Sequence, residues 1–187
     1  PAAGGLRETT MELQSCRVLV TGASGGIGQA LARQLCAGGA RLLLVARRTE
    51  PLEAFAASHP GQVTLVGADL GTRAGREAVL AAARALGRLD CLVNAAGVSQ
   101  FTLLEDHDDD ALAFMVAINL TATMQLTRLV LPLLRQAPGG LLVNVGSTFG
   151  SIGYPGFAAY CASKFAVRGF SEALRREGVL NPASITL

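Results

Sequence analysis

The chain has 187 residues, of which 50% are hydrophobic and 16% are charged, and its formal net charge is +2. This length predicts one domain with a sizeable core, and the small charge argues against the strongly basic surface of a nucleic-acid-binding protein. We also predict no membrane partner, because no stretch reaches the run of about 20 apolar residues that a spanning helix needs.

The ends of the chain indicate the bounds of the domain, and the cysteines indicate the cellular compartment. We interpret residues 1–10 as a leader or a remnant of cloning, and residues 11–187 as a single domain that begins at Met11. Four cysteines are widely spaced and form no Cys-x-x-Cys pattern, so we predict small buried thiols in a reducing cytoplasm and no metal site. They are Cys16, Cys36, Cys91 and Cys161.

Apolar runs of strand length alternate with helical stretches along the chain. The predicted strands are residues 17–20, 42–46, 63–67, 89–94 and 141–145, and the predicted helices are residues 27–37, 51–57, 74–86, 109–135 and 160–176. An acidic run, residues 105–110, should cap the fourth helix. Continuously apolar strands are typical of a parallel sheet covered by helices on both faces. Their regular alternation with helices predicts a doubly wound α/β fold.

A glycine-rich turn follows the first predicted strand and opens the first predicted helix. Residues 21–28 read Thr-Gly-Ala-Ser-Gly-Gly-Ile-Gly. Glycines there let the backbone approach a pyrophosphate, and the helix N-terminus offers unpaired N–H groups and a positive dipole end to the phosphates. A glycine-rich turn without a ligand is the alternative. The pattern predicts dinucleotide contacts from Thr21, Gly22, Ser24, Gly26, Ile27 and Gly28.

The end of the second predicted strand indicates the type of dinucleotide. About 20 residues past such a turn, an acidic residue marks NAD, whereas an arginine accommodates the 2′-phosphate of NADP. The sequence there reads Val-Ala-Arg-Arg, so we predict that Arg47 and Arg48 favour NADP(H) over NAD(H). In the alternative, both arginines face solvent and Glu50 or another contact permits NAD.

Lys164 is the only lysine in the chain, and it lies four residues after Tyr160, one of two tyrosines. Residues i and i+4 share one face of a helix, with Cβ atoms roughly 5–6 Å apart. An ammonium beside a phenol favours the phenolate, so the pair suits proton transfer at a reacting oxygen. A surface tyrosine and a surface lysine on an ordinary helix are the alternative.

Six motifs in chain order resemble the short-chain dehydrogenase/reductase family. The turn at residues 21–28 matches its Thr-Gly-x-x-x-Gly-x-Gly motif, and Tyr160 and Lys164 match its Tyr-x-x-x-Lys motif. Between these lie an acidic-aliphatic pair, an Asn-Ala-Ala-Gly sequence, an asparagine on the long helix and a serine after the fifth strand. These residues are Asp69, Leu70, Asn94, Ala95, Gly97, Asn119 and Ser147.

The resemblance implies a Rossmann-like domain that binds a nicotinamide dinucleotide and interconverts a carbonyl and an alcohol. It implies that Tyr160 is the general acid/base and that Lys164 assists it and contacts the nicotinamide ribose. Ser147 would donate to the substrate oxygen, and Asn119 would hold a water that connects the lysine to solvent. The Asn-Ala-Ala-Gly sequence would also steady the sheet. The remaining motif residues would border the cofactor: Asp69, Leu70, Asn94, Ala95 and Gly97.

The sequence departs from the family pattern at its C-terminal end. The family continues beyond the tyrosine–lysine helix with a sixth strand, a substrate-covering loop and a seventh strand. Here residues 185–187 match a fragment of the sixth strand, and nothing follows them. We therefore expect the dinucleotide-binding catalytic domain, residues 11–187, to be incomplete at its C terminus.

Two other functions remain open. A catalytically silent dinucleotide sensor or scaffold would use the same fold, but it predicts loss of the tyrosine–lysine pair, which is intact. Gly22, Gly25 and Gly28 also fit the turn of the family's extended branch, whose epimerases and dehydratases consume no net NADPH. The Asn-Ala-Ala-Gly and Ala-Ser-Lys sequences favour the compact dehydrogenase/reductase branch.

The expected pocket wall indicates the substrate class, and two long predicted helices indicate self-association. The pocket wall is apolar, which permits a ketone, a β-keto acyl thioester, a steroid-like ring or a short aldehyde. The resemblance implies a homodimer or homotetramer in which the fourth and fifth predicted helices pair with their copies. The apolar residues of these helices fit such an assembly and equally the core of a monomer. The expected wall residues are Val98, Phe101, Phe149, Ile152 and Phe157.

Overall fold

Six parallel strands form one sheet in a computed structural model that describes residues 13–180 and the strand at residues 185–186. The sheet order is β3-β2-β1-β4-β5-β6, and each neighbouring pair is parallel. The predicted doubly wound parallel sheet is confirmed. The strands are β1 (Arg17–Thr21), β2 (Arg41–Ala46), β3 (Val63–Gly67), β4 (Cys91–Asn94), β5 (Leu141–Asn144) and β6 (Ile185–Thr186).

Six α-helices connect these strands within the described residues. A π-helical segment, Ala117–Ala122, joins α4 to α5, and short 3₁₀ turns occur at Leu104–Asp106 and Thr148–Gly150. The predicted bounds differ from the observed ones by at most two residues, but the π-helical segment inside the long helix was not predicted. The helices are α1 (Gly26–Ala37), α2 (Glu50–Ala57), α3 (Arg73–Ala85), α4 (Asp109–Val116), α5 (Thr123–Gln136) and α6 (Ala158–Arg176).

Strand residues alternate between two buried clusters, one on each face of the sheet. Leu19 and Leu43 pack in the cluster that includes residues of α3 and α5. Val18 and Leu42 pack in the opposite cluster, which includes residues of α1 and α2. Successive side chains of a strand point to opposite faces, so a strand covered on both faces is apolar throughout. All four cysteines are buried, as predicted.

The acidic run caps α4 through Asp108. Its carboxylate accepts hydrogen bonds from the N–H groups of Asp110 at 2.7 Å and Ala111 at 3.3 Å. These N–H groups belong to the first turn of α4, where no carbonyl of the helix can accept from them. The predicted capping role of the run is therefore confirmed at this residue.

The helical stretch Asp109–Gln136 is long and apolar enough to cross a membrane by length and composition alone. Of its most apolar part, 44% is buried inside the protein, and core helices of soluble proteins meet the same criterion. The sequence prediction counted no such stretch, because polar residues such as Asn119 and Thr123 interrupt the apolar run. The absence of a membrane partner stays a prediction.

Candidate active site

The sheet order reverses between β1 and β4, since β2 and β3 continue on one side and β5 and β6 on the other. In open α/β sheets, ligands bind in the crevice that opens at this point, beyond the carboxyl ends of the strands. The turn at residues 21–28 leaves β1 there, and residues 95–98 leave β4 beside it. Both glycine-containing motifs therefore lie at the same edge of the sheet.

A cleft at this edge, which we call the switch-point cleft, brings most of the predicted cofactor residues together. Its lining includes eight of them: Gly22, Ser24, Arg47, Arg48, Asp69, Leu70, Ala95 and Gly97. It also includes residues that the motifs did not assign to the cofactor, namely Gly25, Val45, Ala46, Ala68, Ala96, Val98 and Ile118.

Thr21 and Gly22 tie the end of β1 to the chain that leaves β4. Thr21 is buried, and its Oγ1 accepts hydrogen bonds from the N–H groups of Ala95 and Ala96, each at 3.1 Å. Gly22 has φ +63°, and a Cβ there would lie 2.7 Å from Cα of Ala96. Only glycine fits that position. The described contacts of Thr21 are thus within the protein, and Thr21 does not line the cleft.

The other predicted residues of the turn divide into packed and open positions. A Cβ on Gly28 would lie 2.7 Å from Cα of Ala23, so this glycine permits close packing of α1 beneath the turn. A Cβ on Gly26 would meet nothing within 4 Å. Ile27 is exposed beside it at the start of α1. These three residues lie outside the lining of the cleft.

Alanine substitutions at the two glycines should therefore have different effects. Gly28→Ala should lower Tm by about 2–10 °C, because overpacking costs about 1–3 kcal/mol. Gly26→Ala should leave Tm unchanged, because its methyl group would meet no protein atom within 4 Å. It should weaken dinucleotide binding about tenfold, because the methyl group lies at the N-terminus of α1, where phosphates bind in this fold. Circular-dichroism melting and NADPH fluorescence titration measure these effects. Unchanged NADPH affinity in Gly26→Ala would contradict a pyrophosphate site at this turn.

Asn94 is buried at the end of β4 and links four elements of the fold. Its Nδ2 donates to Oγ1 of Thr127 on α5 at 3.0 Å and to Oδ1 of Asn144 on β5 at 2.9 Å. Nδ2 of Asn144 donates in turn to Oγ of Ser171 on α6 at 2.8 Å. Because buried polar groups require partners, these contacts steady the sheet below the cleft. Asn94 does not line the cleft itself.

Arg47 and Arg48 follow β2 at the rim of the switch-point cleft, and both are exposed. The guanidinium carbon of Arg47 lies 5.7 Å from the ring centroid of Phe114 on α4, which is within cation–π range. Ile118, one helical turn after Phe114, lines the cleft. One of the two rim cations is therefore oriented by an aromatic ring.

Asp69 also lines the switch-point cleft. Its carboxylate accepts a hydrogen bond from the N–H of Gly71 at 2.9 Å.

Tyr160 and Lys164 lie on α6, and the lysine is buried, with 7% of its surface exposed. Its Nζ lies 5.8 Å from the ring centroid of Tyr160 and donates to the carbonyl of Val145 at 2.8 Å. A Cβ built on Gly97 would lie 3.7 Å from this Nζ. Because Gly97 lines the switch-point cleft, the ammonium lies next to both the cleft and the tyrosine ring.

Burial lowers the pKa of Lys164 below its usual value, because a desolvated ammonium is less stable than a hydrated one. The unfolded chain therefore holds this proton more tightly than the folded protein does. The contribution of Lys164 to the free energy of unfolding thus rises as the pH increases through the interval between the folded and unfolded pKa values.

Lys164→Met should remove this part of the pH dependence. We expect the free energy of unfolding of the wild type to increase, relative to that of the variant, as the pH rises from about 8 to about 10. Urea unfolding at both pH values measures the change. Arg168→Met, which removes an exposed cation from the same helix, is the control and should show no such trend. A difference that stays constant or shrinks contradicts a destabilised ammonium.

Asn119 is buried inside the π-helical segment and holds two other segments in place. Its Oδ1 accepts from the N–H of Val98 at 2.8 Å, and its Nδ2 donates to the carbonyl of Val98 at 2.9 Å. Nδ2 also donates to Oγ of Ser163 at 3.0 Å, which donates to the carbonyl of Tyr160 at 2.7 Å. Asn119 therefore fixes the chain after β4 relative to the first turn of α6. π-Helical segments are rare and often occur at functional sites.

Ser147 lies after β5 and accepts at its Oγ a hydrogen bond from the N–H of Phe149 at 3.2 Å. It therefore begins the 3₁₀ turn Thr148–Gly150. The same hydroxyl keeps its hydrogen for donation, since a serine oxygen accepts and donates at once. Ser147 is partly exposed, whereas Ser163, which the sequence analysis did not assign, is buried. The position of Ser147 after the fifth strand marked it in the sequence, whereas Ser163 lies inside α6 and matched no motif position that the sequence analysis assigned to the site.

A parallel sheet of order 3-2-1-4-5-6 with a glycine-rich turn at its switch point defines a dinucleotide-binding α/β protein. The family model of short chain dehydrogenases matches residues 17–186. The chain belongs to this family, whose members bind a nicotinamide dinucleotide.

Similar proteins and solved structures support this family assignment. Nodulation protein G of Rhizobium sp. (strain N33) is 42% identical over 171 residues, which cover 89% of this chain and 68% of that protein. Human dehydrogenase/reductase SDR family member 7 is 37% identical over 187 residues, which cover 96% of this chain and 55% of that protein. The chain thus spans between 55% and 68% of the length of these two relatives.

Two solved structures share the fold. A short-chain dehydrogenase from Streptomyces avermitilis superimposes with a TM-score of 0.84 at 34% identity, over 88% of this chain and 61% of that one. A short chain dehydrogenase/reductase from Burkholderia phymatum in complex with NAD superimposes with a TM-score of 0.83 at 26% identity, over 90% of this chain and 62% of that one.

Proposed function

We propose that the chain binds NADP(H) and interconverts a carbonyl and an alcohol, with Tyr160 as the general acid/base. The position of Lys164 carries this proposal, because its Nζ lies beside the Tyr160 ring and beside Gly97 of the switch-point cleft. A dinucleotide in the cleft and a carbonyl at the tyrosine would meet at this ammonium. The dinucleotide supplies or accepts the hydride when bound, and the residues of the chain manage the proton and the charge.

Tyr160 moves the proton. In the reducing direction its phenol donates a proton to the substrate oxygen, and in the reverse direction its phenolate accepts the proton of the alcohol. The neighbouring Lys164 ammonium stabilises the phenolate electrostatically, and the carbonyl of Val145 holds that ammonium in place. Ser147 donates its hydroxyl hydrogen to the substrate oxygen and so stabilises the negative charge that develops there.

Asn119 is a positioning residue in this mechanism. Through its hydrogen bonds to Val98 and Ser163 it holds the floor of the cleft against the helix that carries Tyr160 and Lys164. The proposal also retains the role that the family resemblance gives Asn119, a water contact that connects the lysine to solvent.

Arg47 and Arg48 support a preference for NADP(H). Both lie at the rim of the cleft after β2, where a 2′-phosphate would be bound in this fold. Guanidinium groups bind phosphate oxygens through paired, charge-assisted hydrogen bonds. Because a similar structure contains NAD, family membership alone does not assign the phosphate, and the preference rests on these two side chains.

Neutral substitutions at the two arginines test this preference. Arg47→Met should raise the KM for NADPH roughly 10- to 100-fold, because a hydrogen bond to a charged group contributes about 1.5–3 kcal/mol. We expect a smaller effect for Arg48→Met, because Phe114 orients only Arg47 among the described residues. The KM for NADH should change little in either variant. Steady-state kinetics with both cofactors measure these effects, and an unchanged NADPH-to-NADH ratio in both variants would overturn the assignment. Arg41→Met, at the opposite end of β2, is the control.

One experiment separates the proposed reduction from the two alternatives. NADPH absorbance would be followed against a panel of ketones, aldehydes and acyl thioesters. Net oxidation of NADPH supports the reductase. Tightly retained cofactor without net consumption supports an epimerase or dehydratase of the extended branch, and cofactor binding without any turnover supports a sensor or scaffold.

We also propose a homodimer or homotetramer that forms through α4, α5 and α6, in a cytoplasmic protein whose partners are small carbonyl or alcohol substrates. Exposed apolar side chains on α4 and α6 support the assembly, namely Phe114 at 42%, Val116 at 41% and Phe165 at 44% exposure. Light scattering of the purified protein measures the oligomeric state, and a monomer at micromolar concentration would contradict the assembly.

A further inference from the structure

Five of the nine aromatic residues in the chain contact one another around Tyr160, and we call them the aromatic cluster. The chain has seven phenylalanines, two tyrosines and no tryptophan. The five come from three separate segments: the chain after β4, the chain between β5 and α6, and the first turn of α6. The members are Phe101, Phe149, Tyr154, Phe157 and Tyr160.

Two phenylalanines flank the tyrosine that we propose as the acid. The ring of Phe149 lies 6.3 Å from that of Tyr160, and the ring of Phe157 lies 6.2 Å from it, both with edges turned towards faces. Tyr154 stacks on Phe149 at 5.2 Å with an interplanar angle of 11°. Phe101 extends the cluster by contacting Phe157 at 5.3 Å. These distances and angles are those of favourable aromatic pairs.

The outer rings of the cluster are exposed although they are held in place. Phe101 is 70% exposed and Tyr154 is 53% exposed. Gly156 has φ +78°, and a Cβ there would collide with the ring of Phe101. The N–H of Thr102 donates to the carbonyl of Gly156 at 2.8 Å. Backbone contacts therefore fix an exposed aromatic surface beside the proposed acid, and exposed apolar patches of this kind mark binding sites.

The phenylalanine rings of the aromatic cluster carry no hydrogen-bond donor for an anionic group, and Arg168, a charged neighbour on α6, is already bonded to Ser151 and Glu172. Within the described residues, the cation that lies over a ring of this cluster is Lys164, and it lies at Tyr160 itself. Neighbouring Ile152 is 55% exposed and adds hydrocarbon. A carboxylate or phosphate placed against Phe101, Phe149 or Phe157 would lose water without gaining a compensating contact. A flat ring placed there would stack or pack edge to face.

We infer that the substrate carries an aromatic ring on, or one carbon away from, its carbonyl carbon, and that this ring packs against Phe149 and Phe157. The inference rests on the proposed carbonyl reduction and names the substrate class of the same site. A substrate with a carboxylate or phosphate at that position is disfavoured.

Two matched ketones test the inference without a change in carbonyl reactivity. Benzyl methyl ketone and cyclohexylmethyl methyl ketone present the same carbonyl environment and differ in ring type. We expect kcat/KM for the benzyl compound to be about 2- to 10-fold higher in the wild type. The ratio should fall towards one in Phe149→Leu and in Phe157→Leu, which keep apolar bulk and lose the ring. Phe55→Leu, in α2 on the other face of the sheet, should keep the wild-type ratio.

The outcomes separate this inference from the proposed function. Turnover of both ketones with a ratio near one in the wild type, or higher kcat/KM for a short keto acid, overturns the aromatic preference and leaves the reductase standing. If neither ketone is reduced, saturation-transfer NMR measures their binding to the protein. Stronger binding of the benzyl compound that weakens in Phe149→Leu then supports the aromatic site while the reductase fails. Equal binding of both compounds, or no binding, overturns the aromatic site.

Discussion

Tyr160→Phe should lower kcat roughly 100- to 10,000-fold, because it removes the only oxygen that we propose to transfer the proton. NADPH should still bind, since phenylalanine keeps the ring contacts with Phe149 and Phe157 and the switch-point cleft is untouched. Single-turnover kinetics measure the chemical step, and NADPH fluorescence titration measures the affinity.

The other tyrosine supplies the control for this substitution. Tyr154→Phe removes a phenolic oxygen from the same aromatic cluster while leaving the stacked ring on Phe149. We expect a much smaller loss of kcat than for Tyr160→Phe. If Tyr160→Phe retains more than about a tenth of the wild-type kcat, Tyr160 is not the general acid.

Lys164→Arg should lower kcat/KM roughly 10- to 100-fold although it keeps the positive charge, because a displacement of about 1 Å at a reacting site can cost about 100-fold in rate. Nζ is buried against the carbonyl of Val145 and lies close to Gly97. A planar guanidinium is wider than an ammonium and cannot occupy the same compact position. Steady-state kinetics and a melting curve together separate lost catalysis from lost folding.

The reverse exchange at an exposed position is the matched control. Arg176 is exposed in the last turn of α6, where surface cations contribute little to stability. Arg176→Lys should therefore keep both Tm and kcat/KM close to the wild-type values. Near-native activity of Lys164→Arg would show that the compact ammonium is not required, and the significance we give to the single lysine would be wrong.

Much of the fold could be predicted because its signals are local. The strands are continuously apolar, and the helices have periodic apolar residues, so element bounds follow from neighbouring residues alone. The spacing of Tyr160 and Lys164 likewise predicted that the ammonium lies near the phenol ring, because one helical turn separates the two residues. The glycine-rich turn predicted a site at the end of β1, and the switch-point cleft lies there.

Other features of the site were not predictable because they join residues far apart in the chain. The contact of Arg47 with Phe114 and the hydrogen bonds of Asn119 to Val98 depend on how the elements pack. Neither residue pair has a sequence pattern of its own. The same holds for Ile118, which lines the cleft only because the π-helical segment brings it there.

The sequence by itself therefore determined the class of fold, the position of the glycine-rich turn and the spacing of the tyrosine–lysine pair on α6. Only the tertiary structure decided that Thr21 serves contacts within the protein, and that aromatic rings from three segments surround Tyr160. The physical reason is the distance along the chain over which each interaction acts. Periodicity and helical spacing act between near neighbours, whereas hydrogen bonds and ring contacts between distant segments form only after the chain has closed on itself.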